Sequence, residues 1–207
     1  MLFGCASQPR HSDALNSHIK FYSSDIANFW KAYALVKKEG KESCPQIMKT
    51  HYQDKASQGL KDFFEVRLTN TERLCKSVTK FSPYYENVRK RKINTDKFSK
   101  QIKKSYLKLR ELYPKTTDVE IYYLIGMTST AGTVKENRNL IGLEMFASSE
   151  IDIDPKIVPQ HLKAYKLTYS KLPSLVIHEM VHTQQSMKED PKTLLANSIG
   201  EGAADFI

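Results

Sequence analysis

Cysteine, glycine, proline and long apolar runs are all scarce in this chain, and each shortage excludes something. Cys5, Cys44 and Cys75 are the only cysteines and none belongs to a CxxC pair, so a cysteine-based zinc site has no support. Glycine and proline number eight each in 207 residues, of which 40% are hydrophobic; a collagen-like, low-complexity or wholly disordered chain does not fit that balance. The longest mostly apolar stretch, Val119 to Met127, is about half of the ~18 residues that a membrane-crossing helix needs. The length suits one domain of roughly 100 to 200 residues, or one compact unit with an extension, rather than two full domains.

Charge is plentiful but unevenly placed. Residues 1–116 carry 24 basic and 11 acidic side chains, whereas residues 117–207 carry 8 and 12. Eight of the basic residues fall between Arg89 and Lys104, a concentration that suggests a nucleic-acid footprint. Helical periodicity gives the plainer explanation. Phe98, Ile102, Tyr106, Leu109 and Tyr113 recur at helix spacing, with Lys100, Lys103, Lys104, Lys108 and Arg110 mostly between them, which describes a solvated basic face. No nucleic-acid partner is expected.

The N-terminus carries a compartment signal. Leu2-Phe3-Gly4-Cys5, followed by Ala6-Ser7-Gln8, resembles the end of a bacterial lipoprotein signal, in which a small residue precedes the cysteine to be lipidated; the charged and apolar regions that normally come before it are missing. Cys5 is therefore a lipidation candidate, implying a periplasmic or membrane-anchored envelope protein; without lipidation the expected location is cytoplasmic. With Cys5 set aside, Cys44 and Cys75 form an even pair that an oxidising compartment would permit to bond, a pairing the sequence leaves open.

The expected architecture is α+β and mostly helical. Residues 1–22 read as a tether or signal remnant and residues 23–207 as one domain, helical over 23–116 and carrying a sheet plus two further helices over 117–207. Helices are predicted over about 25–38, 46–66 with a break near Ser57-Gln58-Gly59, 70–92 and 96–113. Val119, Ile121, Tyr123 and Ile125 alternate with Glu120, Tyr122 and Leu124, the pattern of a half-buried strand. A loop of small residues, Thr128 to Thr133, follows, then a second strand from Leu140 to Phe146. Glu150 to Pro155 reads as a solvated acidic turn, and no calcium is assigned to it.

The chemistry lies in Leu172-Pro-Ser-Leu-Val-Ile-His178-Glu179-Met-Val-His182. Ser170 is a candidate cap, Pro173 fits the first turn, and Leu175, Val176, Ile177, Met180 and Val181 cover nearly every side, which marks a buried helix. Residues four apart on a helix share a face, so His178 and His182 can hold one metal ion. Glu179, about 100° round the axis, is placed to accept a proton from water activated by Zn²⁺. His-Glu-x-x-His arises by chance in roughly one chain in a hundred of this size, but chance accounts poorly for two convergent imidazoles, a glutamate and apolar flanks together. A catalytic zinc needs a third protein ligand. Asp190-Pro191 can start a second helix that reaches Glu201, the expected third ligand, between Gly200 and Gly202. Asp205, one turn on, is positioned to orient His178 or His182; its plainer reading is a capping or solvent-facing aspartate.

His-Glu-x-x-His, eighteen residues, Glu, then Asp four later resembles the gluzincin metallopeptidases. The resemblance implies zinc bound by His178, His182 and Glu201, Glu179 as general base, Asp205 orienting a histidine, a peptide or protein substrate, and an edge strand that pairs with the substrate backbone, for which Leu140 to Phe146 is the candidate. Tyr123-Leu-Ile-Gly126, Thr130 to Thr133, Ile141-Gly-Leu-Glu-Met145 and Glu201-Gly202 are more similar still to the predicted zinc-dependent proteases related to gliding-motility lipoproteins. That likeness is good over 119–207 and weak over the helical half. Glu144 is either a solvent-facing strand residue or a contact for a substrate amine. An oxyanion donor beyond Glu201 is absent, which leaves Tyr122, Tyr123, Arg138, Tyr165 and Tyr169 as unranked substitutes, and the pattern stops in mid-helix at Ile207, as in a piece of a longer protein. The expectation is a zinc metallopeptidase; its rival is a catalytically weak or inactive zincin-like lipoprotein that serves binding or assembly.

Overall fold

A strand with neighbours on both sides and helices on both faces has no solvent side, and Val119–Leu124 is in that position: every residue but Glu120 is buried. The computed structural model describes residues 18–185 and 193–206. Its sheet contains β1 (Ile19–Tyr22), β2 (Val119–Leu124), β3 (Gly132–Lys135) and β4 (Arg138–Gly142) in the order β1-β2-β4-β3. Both neighbours of β2 run parallel to it, and β3 pairs antiparallel with β4. The half-buried strand expected from the alternation is thus a central, two-sided one. The helices are α1 (Ser24–Glu39), α2 (Cys44–His51), α3 (Gln58–Phe63), α4 (Thr71–Lys80), α5 (Ser82–Lys90), α6 (Thr95–Leu112), α7 (Leu172–Gln184) and α8 (Leu194–Phe206), which makes the fold α+β and mostly helical.

Successive strand residues point to opposite faces, and β2 shows which helices take which. The Tyr122 ring packs against Gly59 of α3, whereas the Tyr123 hydroxyl meets Ser99 of α6 at 3.2 Å. In β4, Asn139 donates to the Val176 carbonyl of α7 at 3.1 Å. The early helices therefore cover one face, and α6 and α7 the other. Buried phenols need acceptors, and three of them pin the helical layer to the backbone just beyond β2 and β4. Tyr52 donates to the Ile125 carbonyl and Tyr85 to that of Gly126, each at 2.8 Å, and Tyr84 donates to the Glu144 carbonyl.

Several sequence expectations need correction. Ile19–Tyr22, assigned to the tether, is β1. The helix expected over 70–92 is two, because Pro83 falls in the first turn of α5, where its missing N–H costs nothing. The break expected near Ser57 lies just before it; the Ser57 hydroxyl caps α3 and donates to buried Asp25. A π-helical turn, Phe64–Leu68, follows. The loop of small residues contains β3, joined to β4 by the two-residue turn Glu136-Asn137, with Glu136 at φ 54°. The strand expected to reach Phe146 stops at Gly142, and Leu143–Ala147 is a 3₁₀ turn. Cys5 and the proposed helix start Asp190-Pro191 lie outside the described residues.

Cys44 at the start of α2 is bonded to Cys75 in α4, across 31 residues of sequence. Closing a loop of that length restricts the unfolded chain by about 3 to 4 kcal/mol on the chain-entropy model. Reduction, or the double change Cys44→Ala and Cys75→Ala, is expected to lower stability by roughly that amount in urea titrations followed by circular dichroism.

Candidate metal centre

Helix α7 begins with Pro173 in its first turn, and Lys171 rather than Ser170 occupies the cap position, without a side-chain hydrogen bond. Leu172, Val176, Met180 and Val181 are buried between α6, α8 and the β3–β4 side of the sheet. That packing sets the rotation of the helix and so the direction of its two histidines. Their Nε2 atoms face one another at 3.1 Å.

Helix α8 brings a carboxylate to the same point. Glu201 Oε2 lies 3.2 Å from His178 Nε2 and 3.6 Å from His182 Nε2, and this trio is the one acid–histidine cluster of metal-binding size among the described residues. Zinc ligands at ~2.0–2.1 Å in tetrahedral directions stand about 3.3 Å apart, close to the observed triangle of 3.1, 3.2 and 3.6 Å. The outer ring nitrogens are accounted for. His178 Nδ1 donates to Asp205 Oδ1 and His182 Nδ1 to Gln185 Oε1, each at 2.9 Å. Each ring therefore keeps its proton on Nδ1 and turns a lone pair inward. Two lone pairs and a carboxylate repel at these separations; a proton bridges only two of the three groups, whereas a divalent cation satisfies all of them. The residues fit zinc.

Gln185 has a second contact: its Nε2 donates to the Gly200 carbonyl at 2.8 Å. One amide thus orients His182 and ties the end of α7 to the turn of α8 that carries Glu201. Nothing in the sequence separated Gln185 from the neighbouring Gln184, because the second contact arises only when α8 folds back.

Glu179 lies between this trio and the sheet edge. Burial pushes its carboxyl above the usual carboxylate range, reinforced by Glu201 and opposed by the Arg67 guanidinium. A Cβ on Gly132 would stand 2.7 Å from both Glu179 Cγ and Oε1, so glycine is what allows β3 to approach so closely. Next to Gly132, the Thr133 hydroxyl accepts from Arg67 Nη2 at 2.9 Å. Arg67 sits in the π-helical turn, 111 residues before His178 in the sequence, and no spacing signal pointed to it.

The strand at the sheet edge beside Glu179 is β3, not Leu140 to Phe146, whose strand portion is paired on both sides. The proposed oxyanion substitutes are engaged elsewhere or buried. Tyr122 donates to Glu120, Tyr123 meets Ser99, and Arg138 pairs with Asp62 and Glu136; the Tyr169 hydroxyl is buried without a partner and Tyr165 is exposed. Neither reading of Glu144 holds. It is 0% exposed, and its oxygens accept from the Gly126 and Thr128 amides at 2.9 and 3.0 Å, shaping the loop that leads into β3.

Desolvation raises the Glu144 carboxyl from 4.5 to about 7, against the lowering effect of those two amides. Between these values the folded protein holds a proton that the unfolded chain has released, so stability falls as pH rises through the window. The loss from this group approaches about 3 kcal/mol above pH 7. Glu144→Gln is expected to flatten stability against pH between about 4.5 and 7 in denaturant titrations, at some cost throughout because an amide accepts only one of the two N–H bonds.

Comparison with known proteins returned one family. A model described as gliding motility protein GldB matches residues 7–207. No curated protein and no solved structure matches significantly.

Proposed function

The chain belongs to the gliding motility protein GldB family, and from that premise we propose that it is an envelope lipoprotein, anchored through Cys5, that hydrolyses peptide bonds with zinc held by His178, His182 and Glu201. The observation that carries the reading is the convergence of two Nε2 atoms and one carboxylate oxygen on a single point, with Glu179 alongside. Zinc bound there supplies a Lewis acid that polarises a carbonyl and lowers the pKa of water toward ~7.

The chain's own groups do the rest. The Glu179 carboxylate takes the proton of the attacking water and returns it to the departing amine. Arg67 opposes the effect of burial and favours the ionised form of Glu179. Asp205 and Gln185 keep both rings in one tautomer and orientation. β3, last in the sheet order, offers an extended peptide a backbone to pair with beside Glu179. Glu201 and Asp205 are 64% and 78% exposed in their side chains, so the centre opens to solvent on the α8 side.

Purified protein is expected to contain about one zinc per chain by elemental analysis, with His178→Ala losing it and Asp205→Asn binding it 10- to 100-fold more weakly. Absence of stoichiometric zinc from the refolded, zinc-supplied protein would remove the metal centre from the account. Glu179→Gln is expected to keep the metal and to slow cleavage of an unstructured protein substrate by about 10²- to 10⁴-fold. Full cleavage by that variant would overturn the mechanism, and zinc with no cleavage in the unaltered protein would leave a metal-bearing binding or assembly component.

A further inference from the structure

Eleven basic and three acidic residues lie between positions 81 and 115, and four of the lysines form one exposed stripe on α6. On α6, Lys97, Lys100, Lys104 and Lys108 are exposed. Their spacing places them within about 80° around the helix axis, opposite the buried Ile102, Tyr106 and Leu109. Arg89, Lys90 and Lys92, at the end of α5 and just beyond, are also exposed. Among the described residues none of these seven has a carboxylate at ion-pair distance, whereas Lys49, Arg91, Arg110, Lys135 and Arg138 all do. Like charges four apart, as at Lys100, Lys104 and Lys108, work against a helix. The arrangement becomes favourable against an anionic partner.

The route of the chain indicates which partner. His18, where the described structure begins, holds its carbonyl toward the Tyr106 hydroxyl of the same helix, at 3.2 Å. Twelve residues lie between it and Cys5, a span of at most about 45 Å when fully extended. An acyl chain on Cys5 therefore keeps α6 close to a bilayer. The exposed stripe consists of lysines, compact point charges, with no aromatic ring among them on which a base could stack. We propose that the α6 lysine face docks on anionic phospholipid headgroups of the membrane that holds the anchor. α6 packs on β1 and on α7, so Lys108, at one end of the stripe, lines the same cavity as His178 and Asp205, while β3 stands at the edge of the sheet away from β1. The proposal is independent of the hydrolase reading and takes from the lipoprotein reading only the nearness of the bilayer.

The test uses the full chain carrying Cys5→Ser, which removes the anchor, in sedimentation with vesicles of phosphatidylcholine alone or mixed with phosphatidylglycerol. Binding is expected to the mixed vesicles and not to phosphatidylcholine, and to weaken as salt is added. A lysine near such a surface is worth about five-fold in partitioning. The combined changes Lys97→Gln, Lys100→Gln, Lys104→Gln and Lys108→Gln are expected to reduce binding several-hundred-fold on the same principle. The same number of changes on the opposite layer, at Lys31, Lys38, Lys55 and Lys61, is expected to cost less than about ten-fold, because those side chains do not approach the surface. Equal losses in the two variants, no binding to the mixed vesicles, or tighter binding of duplex DNA through the same four lysines would each overturn the proposal.

Discussion

The rotation of α7 is the constraint on which the rest of the candidate site depends. Leu172, Val176, Met180 and Val181 are buried, and these contacts leave the helix one angular position. Repeated at four-residue spacing, that position sends two imidazoles in one direction and turns Glu179 toward the sheet. Were the helix packed on one side only, a small roll would carry both imidazoles away from Glu201 and Glu179 away from β3. The apolar residues are not a background to the motif; they set its direction.

What α7 faces is equally determined by burial. β3 approaches Glu179 at Gly132, and its path is prepared by the loop from Gly126, where Glu144 receives two backbone amides and Tyr52 and Tyr85 donate to neighbouring carbonyls. Those polar groups are buried, and burial makes each hydrogen bond expensive to lose. The helical layer thus reaches through the sheet's end to position the site, although none of its residues belongs to the His-Glu-x-x-His segment. The disulfide between α2 and α4 constrains the same layer.

Much of this was legible in the residues, for identifiable reasons. Helix periodicity located α1 and α6 within a residue or two, because each has an apolar face, and Pro173 marked the first turn of α7. The structure puts Glu201 beside His178 and His182, and Asp205 beside His178, positions that spacing had suggested. The failures share a cause. β1 and β3 have four residues each, too few for a period-two signal, and both owe their existence to neighbours distant in sequence. Glu144 was misread because a buried carboxylate has the same letter as a solvated one. Its burial follows from Leu143–Ala147 turning inward instead of continuing β4.

Local order, then, was settled by composition and periodicity alone: which segments are helical, which helix is apolar all round, and which side chains on it are four apart. The chain's membership of one family is likewise a property of its sequence. Only tertiary structure decided which strand forms the edge beside Glu179, that Gln185 links His182 to the α8 backbone, and that Arg67 faces the site from a π-helical turn. Each of these depends on contacts between segments far apart along the chain, and the free energy that selects such contacts is shared across the whole core rather than written in any local pattern.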